Sequence, residues 1–222
     1  MKRILVGIVV LVLALACLPA MAETWYCPQC GRLNDSNFCP VDGTQKPALN
    51  GYTGNTSAGY YTQYAYATGV LNSKLATRTG PSTKYDEPGT FLSAGRQVTV
   101  LSKAYDSRNE IWWVQVEFSA GGAQYRAYTG VKRFNGLNLQ YIPEEYAIGS
   151  CTVNGKTAGY YGPSYAYKEI PRKVPSGVKC TVYGYATDGG TDFVQIEFQD
   201  SGNNQLRRAW VPTWAVNYLN LY

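Results

Sequence analysis

Residues 113–118 read WVQVEF and residues 193–198 read FVQIEF. In the first, Val114, Val116 and Phe118 share one face, and Gln115 and Glu117 share the other. That alternation is the period of a β-strand with a dry and a wet side. The likeness continues outward from both copies. Upstream, LSAGRQVTVL (Leu92–Leu101) aligns with VPSGVKCTVY (Val174–Tyr183), so Gly95 matches Gly177. Further upstream, KLATRTGPSTKY (Lys74–Tyr85) aligns with KTAGYYGPSYAY (Lys156–Tyr167). Downstream, Arg126-Ala127-Tyr128 matches Arg208-Ala209-Trp210. Order and spacing hold throughout, apart from a small indel before WVQVEF, so the chain carries two copies of one module. SAGG and DSGNN, between the last strands of each copy, read as hairpin turns.

Short alternating strands, with Gly-Pro-Ser near the start, predict an all-β fold of two small antiparallel barrels. The order GPS–tyrosine–Gly–TVL–WVQVE–hairpin–RAY/W resembles the bacterial SH3 domain. The resemblance covers roughly 69–137 and 150–222, joined by a connector over 138–149. The family's last strand usually carries Gly-Trp-Val; here Ala127-Tyr128-Thr129 and Ala209-Trp210-Val211 stand there. The resemblance implies SH3-like barrels in tandem that tether an exported protein to the cell wall through peptidoglycan. Eukaryotic relatives take proline-rich ligands.

The stretch CPQCGRLNDSNFCPVDG (Cys27–Gly43) holds two knuckles. In the first, Cys27-x-x-Cys30-Gly lets both sulfurs face one ion; in the second, Cys39-Pro-Val-Asp42-Gly puts a carboxylate where a fourth thiolate would stand. Cys27, Cys30, Cys39 and Asp42 are acceptable ligands for one structural zinc. Residues 23–43 resemble the zinc-ribbon modules of bacterial proteins. Asp42 is harder than a thiolate, which predicts weaker binding. A metal-free or disulfide-containing remnant and a redox CxxC are the alternatives. Residues 44–68 are rich in Tyr, Gly and Thr, almost free of aliphatics, and read as a linker.

The chain opens MKRILVGIVVLVLALACLPAMAE. A basic start, an apolar run and Ala20-Met21-Ala22 predict a signal peptide over 1–22, cleaved after Ala22. Lipidation at Cys17 and an uncleaved anchor are the alternatives. The rest of the chain has no stretch that could cross a membrane as a helix. An exported chain supports disulfides, and Cys151 and Cys180 are left as an even pair. A bridge between them would contribute about 2–4 kcal/mol.

The sequence has 222 residues, 45% hydrophobic and 16% charged, with Tyr 20 and His 0. Without histidine there is no Ser-His-Asp triad, no Cys-His dyad and no His-ligated metal. The net charge of +5 is too small to argue for nucleic acid. Glu144 and Glu145 sit in the connector, not in an evident cleft. These features predict a noncatalytic exported binding or adaptor protein. Its expected partner is peptidoglycan or an envelope protein; a structural or assembly role is the alternative. Tyr85, Trp113, Tyr128, Tyr161, Tyr167 and Trp210 are the candidate ligand-stacking rings. Strand alternation sets Trp112 inward and Trp113 outward unless a bulge intervenes. Arg126 and Arg208 recur beside the last-strand aromatics and are expected to pair internally with Glu117 and Glu197.

Overall fold

The computed structural model describes residues 66–200, 202 and 204–222, and the backbone of 25–26 and 33–34. The chain divides into two units, Met1–Lys46 and Pro47–Tyr222. In the first, β1 (Trp25–Tyr26) pairs antiparallel with β2 (Leu33–Asn34). The chain between these strands carries Cys27 and Cys30; the four expected zinc ligands lie outside the described residues.

The second unit is all-β and antiparallel. In the first repeat β3 (Ala67–Val70), β6 (Gln97–Asp106), β7 (Ile111–Ala120) and β8 (Ala123–Gly130) form one sheet in the order β3-β6-β7-β8. A short ribbon, β4 (Leu75–Ala76) with β5 (Phe91–Leu92), lies outside that sheet's ladder. In the second repeat β9 (Gly149–Val153), β10 (Lys179–Asp188), β11 (Thr191–Gln199), β12 (Leu206–Pro212) and β13 (Val216–Leu221) run in the order β12-β11-β10-β9-β13. Neither sheet closes on itself through its strand pairing. No helix among the described residues is long and apolar enough to cross a membrane.

The period-two pattern builds the core. Val98, Val100, Val114, Val116 and Phe118 are buried in the first repeat, and Val182, Val194, Ile196 and Phe198 in the second. These side chains belong to one continuous apolar cluster that runs through both repeats. Gly95 and Gly177 turn the chain into β6 and β10 at φ of 77° and 75°, a region that favours glycine.

A matching bulge interrupts each repeat at the same place, between Val100 and Ser102 and between Val182 and Gly184. Beyond the bulge Lys103 and Tyr105 face Val114 and Trp112, while Ala104 faces Trp113. The strand bends there, and the Val114–Trp112 side runs past the end of the core. The expected assignment is therefore reversed: Trp113 is 8% exposed, and Trp112 is only half-buried, against Tyr105 at 5.0 Å. Residues 113–116 are all buried, because the outer face of β7 is covered too.

At Gln115 the cover is the other repeat and the connector. Lys103 N–H donates to the Pro143 carbonyl and Glu145 N–H to the Lys103 carbonyl, both at 2.8 Å, so the connector lies along β6. This carries the Glu145 carboxylate inward. It accepts from Tyr128 Oη at 2.9 Å and from Arg208 Nη1 at 2.7 Å, and Ser102 Oγ also donates to it. Gln115 Nε2 donates to the same Tyr128 hydroxyl at 3.0 Å. The Arg208 and Glu145 side chains are 4% and 5% exposed. Removing one partner of a buried pair leaves an uncompensated charge. We therefore expect Glu145→Gln to lower unfolding free energy by about 3 kcal/mol in urea denaturation. Glu144→Gln should cost under about 0.5 kcal/mol. Equal losses from the two would remove Glu145 from its central role.

Candidate functional site

The two GPS loops cross over between repeats. A Cβ on Gly80 would meet the Tyr85 ring at 2.2 Å, and one on Gly162 would meet the Tyr167 ring at 2.2 Å. Glycine thus lets each tyrosine fold flat on its own loop and project to the neighbouring repeat. Tyr85 Oη donates to Glu197, and Tyr167 Oη donates to Glu117. The backbone follows the same reciprocity: Asp86 N–H donates to the Leu206 carbonyl at 3.1 Å, and Lys168 N–H to the Gln124 carbonyl at 3.0 Å. Arg126 Nε meets Glu117 at 2.7 Å and Arg208 Nε meets Glu197 at 2.8 Å, the internal pairing expected from their recurrence. The guanidiniums lie against the incoming rings, Arg126 at 5.5 Å from Tyr167 and Arg208 at 5.6 Å from Tyr85.

The expected ligand-stacking rings are therefore engaged internally. Tyr85, Trp113, Tyr128, Tyr161 and Trp210 are 1–8% exposed, and Tyr167 is half-buried. Tyr161 packs on Tyr125 of the other repeat at 5.3 Å. Trp210 lies with Ala186 and Phe193 in a smaller apolar cluster. Their side chains are not laid open for a ligand. The sequence shows which rings are aromatic and recurrent, but Tyr85, Tyr128, Tyr161 and Tyr167 are engaged by the other copy of the module, while Trp210 packs within its own.

An open groove does exist, on the second repeat alone. It encloses about 430 Å³ between the segment after β9, the second GPS loop and the turn after β12. Asn154, Lys156, Thr157, Tyr160, Tyr165 and Trp214 are among its lining residues. Reciprocal bonds between Tyr160 and Trp210 of 2.8 and 2.9 Å fix the backbone beneath. Tyr160 meets Tyr165 edge-on at 5.4 Å, and Tyr165 meets Phe193 at 5.1 Å. The short 3-10 turn Thr213–Ala215 buries Ala215 and turns Trp214 outward, where it is 68% exposed. Lys156 and Lys173 line the groove, no carboxylate does, and Lys173 approaches Glu169 at 3.8 Å. Flat aromatic faces beside ammonium and amide groups suit a ligand with apolar ring or chain faces and acidic substituents.

The first repeat lacks these three rings. The positions of Tyr160, Tyr165 and Trp214 are held there by Arg78, Thr83 and Lys132. Trp214 lies past the recurrent Arg208-Ala209-Trp210 motif and so escapes a reading based on recurrence; the contrast with Lys132 in the aligned copy is the available signal. Among the described residues no group of three or more Cys, Asp or Glu is placed to hold a metal. Cys151 and Cys180 face each other as buried thiols, with no disulfide between them.

Burial, and then the carboxylates beside them, raise the hydroxyl pKa of Tyr85 and Tyr128; burial foremost raises Tyr161 and Tyr167. A folded value above the unfolded value of about 10 stabilises the fold fully below that pH. The contribution is lost as pH rises beyond it. In an alkaline titration followed by tyrosinate absorbance and circular dichroism, one set of tyrosines should ionise only together with unfolding. A smooth titration of every tyrosine with the fold intact would contradict the burial of these four. No protein-family model, curated protein or solved structure matches the chain.

Proposed function

We propose that this chain is a noncatalytic exported binding protein. Its two repeats are SH3-like modules, and the second engages peptidoglycan or another envelope component. The observation that carries this reading is the groove lined by Trp214, Tyr160, Tyr165, Lys156 and Lys173. The two repeats have different duties in this account. The first supplies Tyr85, Tyr128 and Glu117 to the junction and steadies the second, which presents the groove. The leader would deliver the protein outside the cell, and Cys27, Cys30, Cys39 and Asp42 would hold one structural zinc.

Co-sedimentation with purified peptidoglycan sacculi tests the central claim. Trp214→Ala should weaken retention about 10-fold, the order expected for one stacked ring with its buried area. Lys132→Ala, the aligned position of the first repeat, should leave retention unchanged. If the wild-type chain is not retained at physiological salt, the envelope reading fails for those sacculi and the groove's partner must be a protein. Elemental analysis of protein purified without chelator should find one zinc per chain, lost in Cys39→Ser.

A further inference from the structure

The two repeats differ at one sheet edge. In the second, strand β13 is added to the edge of the sheet and pairs with β9 alone. The first repeat has only an isolated bridge at the matching place, between Leu71 and Phe134. β9 and β13 therefore form a two-stranded flap, joined to the rest of the sheet through β10. That seam has four residue pairs: Lys179 with Thr152, Cys180 with Cys151, Thr181 with Ser150, and Val182 with Gly149. The cysteines thus occur as a directly opposed pair, in the seam on which the flap depends. At the same two positions the first repeat has Gly69 opposite Val98. There the Phe134 ring lies where a Cβ on Gly69 would stand, 2.5 Å away, so no cysteine would fit.

We propose that Cys151 and Cys180 are a reversible dithiol–disulfide pair that locks the β9–β13 flap to the second sheet. Directly opposed antiparallel residues have Cα atoms about 4.5–5.5 Å apart, inside the span a disulfide bridges. The thiols are not equivalent. The hydrogen bond between them lowers the pKa of Cys151 and raises that of Cys180, and burial adds to the rise at Cys180. Exchange can begin at Cys151, and the same bridge results if it begins at Cys180. The oxidant is a low-molecular-weight disulfide such as glutathione disulfide. Cys151 sulfur bonds to one of its sulfurs and releases the other as a thiolate. Cys180 then gives up its proton and attacks the Cys151 sulfur, releasing the second thiolate. One disulfide is reduced, two cysteines are oxidised, and the two protons end on the released thiols. Both side chains are buried, so the reaction proceeds only as the flap opens. β9 runs directly into Asn154–Ala158 and β13 follows directly from Pro212–Ala215, so two of the segments that line the groove adjoin this flap. Only that last consequence rests on the binding role proposed above.

The test uses the full chain equilibrated in glutathione redox buffers, alkylated, and digested without reduction. The expected product is a peptide joining Cys151 to Cys180, formed under oxidising conditions and lost with excess dithiothreitol. Oxidation should lower the unfolding equilibrium constant in urea roughly 500-fold, as for a loop of this length. Cys180→Val, which copies the first repeat, should abolish that redox dependence while remaining folded. Single glutathione adducts, or linkage of either residue to the N-terminal cysteines in the folded chain, would overturn the proposal. So would an unfolding curve that oxidation does not shift. Sacculi retention measured in both redox states separates the two claims. Loss of retention in both states with the linked peptide present refutes the envelope reading alone.

Discussion

Arg208 brings a full positive charge into the junction between the repeats, where its side chain is 4% exposed. A guanidinium so removed from water is tolerable only if carboxylates and lone pairs surround it. They come from three different parts of the chain. Glu197 is the cross-strand neighbour in the same sheet, Glu145 arrives on the connector, and the Tyr128 hydroxyl belongs to the first repeat. The Tyr183 ring lies 3.6 Å beneath the guanidinium. Each group is positioned only if the two sheets and the connector are all in place. The charge thereby makes docking of the repeats specific, while the apolar cluster running through both makes it favourable.

The counterpart in the first repeat is a lighter version of the same arrangement. Arg126 pairs with Glu117 and receives the Tyr167 ring, but no connector carboxylate reaches it. Each repeat thus donates a tyrosine to the other's Arg–Glu pair, which a duplicated module docking on its own copy can do at both ends. The asymmetry enters through the connector, which lies along β6 of the first repeat and points Glu145 toward Arg208 of the second. One consequence reaches the surface. The second GPS loop, fixed at Tyr161 and Tyr167, leaves Tyr160 and Tyr165 on its outer side, where with Trp214 they line the groove. The junction and the groove are opposite sides of one loop.

Strand character, the duplication and the polar pairs within each sheet are legible in the residues alone. WVQVEF and FVQIEF alternate because successive side chains in a strand point to opposite faces, and that is local geometry. Gly95 and Gly177 mark turns for an equally local reason, their positive φ. Arg126 with Glu117, and Arg208 with Glu197, are cross-strand neighbours within one hairpin, so their recurrence in aligned positions was sufficient. The tertiary structure decided which faces are covered. Gln115 looks solvent-facing in an isolated sheet, and is buried where the connector and the second repeat meet the Tyr128 hydroxyl that it bonds. Glu145 looks like a connector charge until the backbone along β6 turns it inward. The recurrent tyrosines look available for a ligand until each is seen to be used by the other copy. Trp214 and Tyr165, outside the recurrent pattern, are exposed rings on the groove. Pairing within a strand or hairpin is fixed by spacing along the chain. Burial between repeats depends on contacts far apart in sequence, and spacing carries no record of them.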